Sequence, residues 1–365
     1  MFAVLQMKLP GNPFPAVSHG SAPPRPTRLL SLDFLRVLAC LAVMAGHVSS
    51  AFIYKESCLT LWGMNLAFVI NQCARFSVPL FLLLSGFTLG MGGPVTSYGS
   101  FLRKRCRKVL LPYGAWVLVY GLYNASFDLG VWFSQFTDPG YLLAELLTGR
   151  GAPHLYFIPL LFQFYLVYPL LKKWVDRNPL ACFLWTLTIS FLIQGLHSLD
   201  GLNLIPFSLP PWLLKSAVGW CFFFVAGMCL QKVDLTRLIL RGSPAPLTIF
   251  SLLFALLYIA WSFHTGLLDS MKPELMLYTP LVFLWGISIW PCIQYRQTIV
   301  MISFLSKHSL SIYFNHVLIL CSLRYVPRFS LGMSGMGMLF LGTFLCSVLL
   351  AVVLNFVFIK IKSIL

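Results

Sequence analysis

Apolar stretches of about 20 residues recur along the whole chain, separated by short segments that hold most of the polar residues. A helix of that length spans the hydrocarbon core of a bilayer, so each stretch predicts one membrane-spanning helix. The chain is therefore predicted to be an all-α, polytopic membrane protein with about ten transmembrane helices. The predicted spans are residues 30–52, 66–91, 109–131, 154–171, 179–198, 212–231, 245–264, 276–294, 309–325 and 335–359.

The two ends of this pattern indicate the domain organisation. Residues 1–28 are rich in Pro and Gly and lack the apolar core and small-residue cleavage site of a signal peptide. We expect residues 1–28 to be a disordered cytoplasmic leader and residues 29–365 to form a single transmembrane domain. No segment between the predicted spans is long enough to hold a second, soluble domain.

Basic residues determine the predicted topology. The chain carries 26 Lys and Arg against 10 Asp and Glu. With the N-terminus in the cytoplasm, most of the basic residues, including the 103–108 cluster, fall on the cytoplasmic side, as the positive-inside rule requires. Both termini are therefore predicted to be cytoplasmic. The basic residues lie at the ends of apolar runs and form no patch with interleaved aromatic residues, which argues against a nucleic-acid partner.

Arg36 and His47 lie inside the first predicted span, although a charge in hydrocarbon costs several kcal/mol. Arg36 and His47 are eleven positions apart. This spacing places both side chains on one helix face, about 16 Å apart along the axis. One end of the helix could bind a polyanion while the imidazole at the other accepts a proton. In the alternative reading, Arg36 snorkels to the headgroups and pairs with Asp33, and a neighbouring carbonyl satisfies His47.

Further polar residues are placed in the membrane by counting along the antiparallel first and second spans. Arg75 and His47 both fall in the outer half of the membrane, so they could face one cavity. Ser85 and Gly86 fall near Arg36 in the inner half. A small-residue pair in a membrane helix favours close helix packing over ligand contact.

Two more histidines are candidates for lining residues. His154 begins the fourth span beside Tyr156 and Phe157, where an interfacial aromatic belt is the alternative. His316 lies mid-membrane in the ninth span with Tyr313 on the same face, which suggests a lining or relay role. The ten cysteines lie mostly in apolar runs and are expected to be apolar fillers. Because no metal-ligand spacing or phosphate-binding loop occurs, we expect no metal and no permanently bound cofactor.

Five segments of the chain form one ordered set of motifs. They are 32–39 followed by His47, 75–87, 105–113, 154–157 with Tyr165 and Pro169, and 309–313 with His316. In order and spacing this set resembles the acyltransferase 3 family of integral-membrane enzymes, and the first segment is similar to the opening signature of that family. Two positions depart from the family pattern: Lys108 stands where Arg is usual, and Tyr156 where Trp is common.

This resemblance implies an O-acyltransferase that moves an acyl group, often acetyl, from cytoplasmic acyl-coenzyme A to a hydroxyl of an extracytoplasmic or lipid-linked sugar or polysaccharide. Acetyl-coenzyme A is then a co-substrate, and membrane lipid and the sugar acceptor are the other partners. The implied location is the bacterial cytoplasmic (inner) membrane. The implied site residues are His47 and Arg75 for catalysis, Arg36, Ser85, Arg105 and Lys108 for donor binding, and His154, Tyr313 and His316 for the acceptor side or cavity lining.

Two other functions fit the pattern of helices with embedded charges. A transporter or flippase for a lipid-linked sugar is the first, although helices one to five do not obviously repeat in helices six to ten, as they do in many transporters. A structural partner in an envelope-synthesis complex is the second, and it has no need of His47. The sequence leaves open the acceptor sugar, acetyl against a longer acyl group, and direct transfer against a covalent acyl-histidine.

Overall fold

The computed structural model describes residues 30–54, 60–61, 64–93, 97–233, 243–293, 295–326 and 332–364. The predicted leader, residues 1–28, lies outside the described residues. The described chain is almost entirely helical, as predicted for the all-α class. Its β structure is a single antiparallel pair of two-residue strands, in which Thr60 lies opposite Asn65 and Leu61 opposite Met64.

The helices and strands follow one another in a simple order. A 3-10 turn, Ala74–Phe76, joins α2 to α3, and a π-helical turn, Cys106–Leu110, joins α4 to α5. The elements are α1 (Leu30–Ser50), β1 (Thr60–Leu61), β2 (Met64–Asn65), α2 (Leu66–Cys73), α3 (Ser77–Gly90), α4 (Tyr98–Arg105), α5 (Leu111–Asn124), α6 (Leu129–Thr137), α7 (Pro139–Thr148), α8 (Phe157–Arg177), α9 (Pro179–Gly201), α10 (Pro211–Leu214), α11 (Ala217–Leu230), α12 (Ala245–Thr265), α13 (Leu275–Ile293), α14 (Arg296–Leu323) and α15 (Gly332–Ile364).

Seven helical segments of the described chain are long and apolar enough to cross a membrane. They coincide with seven of the ten predicted spans. The other three predicted spans, 109–131, 154–171 and 309–325, fall on α5, α8 and α14. The seven segments are Leu30–Ser50, Leu66–Gly90, Pro179–Gly201, Pro211–Leu230, Ala245–Thr265, Leu275–Ile293 and Ser334–Phe356.

The predicted span 109–131 is not one helix. α5 ends at Asn124, and the backbone then turns left-handed at Ser126 and Phe127, with φ of 54° and 62°. Asp128 begins α6, because its carboxylate accepts hydrogen bonds from the backbone N–H groups of Gly130 and Val131 at 2.8 and 3.0 Å. The apolar run therefore continues through a helix boundary. Hydropathy does not detect this boundary, because its signal is a single capping Asp.

The second span is interrupted where Arg75 lies. Asn65 caps α2 by accepting a hydrogen bond from the backbone N–H of Ala67 at 2.8 Å. Pro79 has no N–H to donate to the carbonyl of Arg75 four residues earlier, so the α-helical hydrogen-bond ladder is broken there. The 3-10 turn Ala74–Phe76 occupies this break, and the Arg75 side chain on it donates a hydrogen bond to Asn71 on α2.

Helix α1 is the central helix of the site. It packs against α2, α3, α13, α14 and α15, and Leu35 and Ala39 on it are fully buried. The packing of α3 against α11 depends on small residues. A Cβ on Gly86 would lie 1.9 Å from the carbonyl oxygen of Phe224, and one on Gly227 would lie 2.0 Å from that of Leu83. The two backbones are in direct contact, as small residues permit between membrane helices.

Candidate active site

Arg36 and His47 face two different cavities along one helix. The Arg36 cavity has a volume of about 230 Å³. The His47 cavity has a volume of about 660 Å³. The polar residues that line the Arg36 cavity are Arg36, Ser85, Thr88, Arg105, Tyr165, Ser309 and Tyr313. Those of the His47 cavity include His47, Asn71, Arg75, His154, His197, Lys215, Asp269, Ser270, Tyr313 and Arg324.

Arg36 is held by neighbours while it faces its cavity. Its guanidinium donates to Asp33 Oδ1 at 2.9 Å and to Thr88 Oγ1 at 3.2 Å. Ser306 donates to the same Asp33 oxygen at 2.6 Å. Asp33 is fully buried, whereas the Arg36 side chain is 32 % exposed. The predicted pairing with Asp33 is therefore present, and the guanidinium still has donors free to point into the cavity, because it carries five N–H groups.

The basic cluster is divided by the π-helical turn. Arg105 lines the Arg36 cavity, and its guanidinium carbon lies 5.3 and 5.2 Å from the ring centroids of Phe101 and Tyr165. Its buried Nε has no hydrogen-bond partner among the described residues. Lys108 is exposed and does not line the cavity. Of these two predicted donor-binding residues, the fold therefore brings Arg105 to Arg36 and leaves Lys108 outside.

Ser85 and Gly86 point in different directions although they are adjacent. Ser85 lines the Arg36 cavity. Gly86 faces the backbone of α11. Consecutive helical residues are rotated by about 100°, so one member of the pair serves helix packing and the other faces the cavity.

Three imidazoles meet at the far end of α1. The ring centroid of His47 lies 5.4 Å from that of His316 and 6.2 Å from that of His154. The rings of His154 and His316 are 4.9 Å apart. Three predicted residues from α1, α14 and the turn before α8 therefore form one cluster. Within the described residues, no group of three or more His, Cys, Asp or Glu has an arrangement suited to a metal ion.

Backbone carbonyls define the tautomers of two of these histidines. His316 Nδ1 lies 2.7 Å from the carbonyl oxygen of Tyr313, and His154 Nε2 lies 3.3 Å from that of Phe314. A carbonyl only accepts, so each of these ring nitrogens must donate. The remaining nitrogens, His316 Nε2 and His154 Nδ1, are buried and have no partner in the described chain. Each is a hydrogen-bond acceptor beside His47.

Arg75 is tied to the helix that carries His47. Its guanidinium donates to Ser270 Oγ at 2.8 Å and to Asn71 Oδ1 at 2.6 Å. The amide nitrogen of Asn71 donates to the carbonyl of Gly46 at 2.9 Å and to Ser50 Oγ at 2.9 Å. Asn71 therefore links Arg75 to the last turn of α1. The sequence did carry a signal for Asn71, because it is a polar residue within an apolar span.

The loop between α12 and α13 closes the His47 cavity from one side. Lys272 is 1 % exposed and donates to Gln72 Oε1, Ser262 Oγ and the carbonyl of Leu267 at 3.0, 2.9 and 2.6 Å. Burial, followed by the charge of Arg75, lowers the pKa of Lys272 to about 8. The sequence gives no sign that Lys272 is buried, because this loop lies between two predicted spans.

A second feature that the sequence did not indicate is a hydrogen-bonded pair in the lining of the same cavity. His197 Nε2, on α9, lies 2.5 Å from Asp269 Oδ2, in the loop before α13. His197 lies near the end of its helix, where a polar residue is unremarkable, so spacing along the chain gave no indication of this partner. The pair is 72 positions apart in sequence.

Among the residues that the structure describes, Tyr313 alone lines both cavities. Its hydroxyl donates to the carbonyl of His154 at 2.5 Å, which holds the ring between the two cavities. The rings of Phe81 and Phe157 pack against it, with centroids 6.1 and 5.8 Å away. We call this arrangement the Tyr313 wall. It separates the end of α1 that carries Arg36 from the end that carries His47.

Comparison with known proteins agrees with this architecture. A protein-family model, the acyltransferase 3 acyltransferase domain, matches residues 29–359. A Bacillus subtilis strain 168 protein, YfiQ, provisionally named a membrane-bound acyltransferase, is 24 % identical over 304 residues, 79 % of this chain and 80 % of its own length. A Staphylococcus aureus strain MRSA252 protein, provisionally named a poly-β-1,6-N-acetyl-D-glucosamine export protein, is 22 % identical over 205 residues, 54 % of this chain and 55 % of its own length. No solved structure matches the chain significantly. The match to the family model covers nearly the whole chain, which therefore belongs to the acyltransferase 3 family.

Proposed function

We propose that this protein transfers an acyl group, acetyl in the simplest case, from cytoplasmic acyl-coenzyme A to a hydroxyl of an extracytoplasmic or lipid-linked sugar or polysaccharide. One observation carries the proposal: Arg36 and His47 lie on one helix but face separate cavities on either side of the Tyr313 wall. A polyanionic donor needs a site lined by cations, and a hydroxyl acceptor needs a site beside a proton acceptor. Two separate cavities therefore suit this reaction. Membership of an acyltransferase family supports the reaction type.

The donor is assigned to the Arg36 cavity. Arg36 and Arg105 would bind the phosphates of acyl-coenzyme A, since a guanidinium matches a phosphate with two parallel donors. Ser85 and Thr88 line the same cavity and supply hydroxyl groups for the pantetheine amides. The pantetheine arm then extends along α1 toward His47, over the distance of about 16 Å that eleven helical residues give.

The acceptor is assigned to the His47 cavity. His47 removes the proton of the acceptor hydroxyl, and the oxygen attacks the thioester carbonyl carbon. Arg75, held by Asn71 and Ser270, stabilises the negative oxygen of the tetrahedral intermediate. The carbon–sulfur bond then breaks, and the coenzyme A thiolate takes the proton from His47. The alternative, in which His47 carries the acyl group before passing it to the hydroxyl, uses the same residues.

The neighbouring imidazoles support the role of His47 as the base. His316 Nε2 is an acceptor without a partner and lies beside the His47 ring. It can receive one N–H of His47 and so leave the other nitrogen unprotonated toward the hydroxyl. His154 Nδ1 offers a second acceptor on the same side, so both histidines act as positioning residues.

The direction of transfer rests on the charge distribution. Arg103, Lys104, Arg105, Arg107 and Lys108 lie next to the Arg36 cavity, so the positive-inside rule assigns this end to the cytoplasm and both termini with it. Acyl-coenzyme A is a cytoplasmic metabolite, and its side then matches the side of Arg36. The named relatives are bacterial, which favours the bacterial cytoplasmic membrane.

Export or flipping of a lipid-linked sugar is the second candidate function. The similarity to a protein provisionally named as an exporter of a polysaccharide favours it. Transport would have to move a whole sugar past the Tyr313 wall, whereas acyl transfer needs only the narrow pantetheine arm to pass it. Transport would also need neither a donor cavity nor a proton acceptor. Acyl transfer therefore requires His47, and transport does not.

His47→Ala tests the proposal. Purified protein in lipid vesicles is given acetyl-coenzyme A labelled in the acetyl group and membranes or glycans from the source cells, and transfer is followed by mass spectrometry. We expect the loss of general-base catalysis to lower the rate by about 10²- to 10⁴-fold while the protein stays folded. His264→Ala, at the exposed end of α12, is the matched control and should be fully active. Near-normal acylation by His47→Ala would refute the assignment of the base.

A further inference from the structure

The His47 cavity holds more positive charge than the proposed acyl transfer uses. Arg75, Lys215 and Arg324 line it, and Asp269 is the one carboxylate among its described lining residues. That carboxylate is already engaged, because it accepts hydrogen bonds from His197 Nε2 and from the backbone N–H of Ser270, both at 2.5 Å. The lining therefore has a net positive charge.

These three cations lack a carboxylate partner, whereas four other basic residues of the described chain have one. Among the described residues, no carboxylate oxygen forms an ion pair within 4.0 Å of Arg75, Lys215 or Arg324. Other cations do have such partners, and the ion pairs are Arg36–Asp33 at 2.9 Å, Arg150–Glu145 at 2.7 Å, Lys172–Asp176 at 3.1 Å and Lys232–Asp176 at 2.8 Å.

The charge of Arg75 is not neutralised by the groups that its side chain contacts. Its guanidinium contacts only the neutral oxygens of Ser270 and Asn71, and its buried Nε has no partner among the described residues. A buried charge in a protein is ordinarily paired with an opposite charge. Lys272, buried behind the same cavity, adds to the positive potential. Walls of low dielectric constant concentrate this potential and attract anions into the cavity.

The location of the two exposed cations is a second indication that the His47 cavity binds an anion. Lys215 follows α10 and Arg324 follows α14, and both are exposed at the mouth of the cavity. On the proposed topology they lie on the extracytoplasmic side, where the positive-inside rule disfavours basic residues. The transition-state oxyanion already has Arg75 as its partner. Two further cations at the mouth are therefore available for whatever enters from outside.

We propose that the acceptor carries an oxyanion, a phosphate or a carboxylate, which Lys215 and Arg324 bind at the mouth while the reacting hydroxyl reaches His47. This inference rests on the proposed acyl transfer and adds the chemical class of its acceptor. Arg324 also donates to the carbonyl oxygen of His47 at 3.1 Å. The group that binds the anion therefore contacts the backbone of the residue that accepts the proton, which fixes the distance between the anion and the reacting hydroxyl.

The test compares three acceptors that differ at one carbon: methyl β-D-glucopyranoside, the corresponding glucuronide, and the 6-phosphate. Transfer from acetyl-coenzyme A is measured for the wild type and for the double variant Lys215→Gln/Arg324→Gln. We expect the wild type to show a kcat/KM at least about tenfold higher for a charged acceptor than for the neutral one, since hydrogen bonds between charged groups are worth that much. The double variant should lose this preference. Whichever charged acceptor is preferred distinguishes phosphate from carboxylate.

A matched control and a donor measurement make the result specific. Arg150→Gln removes an exposed cation that is paired with Glu145 and lies outside the cavity, so it should keep the preference. The KM for acetyl-coenzyme A should be the same in all three proteins. Equal use of all three acceptors by the wild type would overturn the proposal. A raised KM for acetyl-coenzyme A in the double variant would also overturn it, because the cations would then belong to the donor site.

A binding measurement separates failure of this inference from failure of the proposed function. Thermal shift with the same three glucosides is measured for His47→Ala, which keeps the cavity but lacks the base. The anion site is supported if a charged glucoside stabilises His47→Ala and no longer does so when Lys215→Gln and Arg324→Gln are added. This result would support the site even if the wild type transferred no acyl group. Active transfer without any effect of acceptor charge refutes the anion site and leaves the acyltransferase intact.

Discussion

Arg36 performs two tasks that a single substitution can separate. It forms an ion pair with buried Asp33, and it faces a cavity together with Arg105. Arg36→Lys keeps the charge but loses the planar pair of donors, and Arg36→Ala loses both. We expect the affinity for coenzyme A to fall in the order wild type, Arg36→Lys, Arg36→Ala, with a loss of about tenfold or more for Arg36→Ala. Isothermal titration calorimetry with coenzyme A measures this order.

Lys108 provides the matched comparison for the same measurement. Lys108 is exposed and outside the Arg36 cavity, whereas Arg105 lines it. Arg105→Ala should therefore weaken coenzyme A binding and Lys108→Ala should leave it nearly unchanged. Equal affinities for Arg36→Ala, Arg105→Ala and the wild type would remove this cavity from donor binding.

At the scale of single residues, the sequence predicts the positions within one helix well and those between helices poorly. The Arg36 and His47 spacing follows from helix geometry alone, because the period of the α-helix is fixed. The pairing of His197 with Asp269 and the burial of Lys272 depend on how separate segments meet. No periodic pattern encodes such meetings, so only the identities of these residues were available from the sequence.

At the scale of helices, the contact between α3 and α11 is set by two glycines. Gly86→Ala and Gly227→Ala would each place a Cβ at 1.9 or 2.0 Å from a backbone oxygen of the other helix, and a backbone cannot move aside as a side chain can. We expect each substitution to destabilise the protein by about 1 to 3 kcal/mol and the helices to separate. The midpoint of thermal unfolding in detergent measures the loss.

Gly114→Ala is the control for this contact. Gly114 lies on α5, and a Cβ there would have no atom within 4 Å. Alanine also favours the helix over glycine by about 1 kcal/mol, so this variant should be as stable as the wild type or more so. Wild-type stability for Gly86→Ala would mean that α3 and α11 are farther apart than the structure has them.

The sequence predicted the helices better than their interruptions. Length and hydropathy predicted the seven apolar spans, since the bilayer imposes both. The 3-10 turn at Arg75 had a visible cause in Pro79, but its effect on the direction of the Arg75 side chain did not follow from the sequence. The break of the predicted span 109–131 at Asn124 was hidden, because the run stays apolar through the turn.

At the scale of the whole molecule, the direction of transfer depends on which end of the bundle is cytoplasmic. Single cysteines at Ser100 and Leu204, in a background without native cysteines, report the two ends. Ser100 is exposed beside the basic cluster, and Leu204 is 66 % exposed between α9 and α10. A membrane-impermeant maleimide should label Leu204→Cys in intact spheroplasts and Ser100→Cys only after lysis.

Labelling of both cysteines in lysed membranes is the control that each site is reachable. Labelling of Ser100→Cys in intact spheroplasts would place the Arg36 cavity on the extracytoplasmic side. Cytoplasmic acyl-coenzyme A could not then reach Arg36, and the proposed direction would be wrong.

The Tyr313 wall has an electrical consequence. In the proposed reaction the proton of the acceptor hydroxyl leaves with the coenzyme A thiol on the donor side, while the acyl group leaves with the sugar on the other side of the Tyr313 wall. The proton and the acyl group, which is formally a cation, carry the same charge in opposite directions, so a turnover moves no net charge across the membrane. A single uncompensated charge would instead gain or lose about 2.3 kcal/mol per 100 mV. We therefore expect the extent of acylation at equilibrium in potassium-loaded vesicles to be the same whichever side valinomycin makes negative. A dependence of that extent on the voltage would mean that an ion crosses the membrane together with the acyl group.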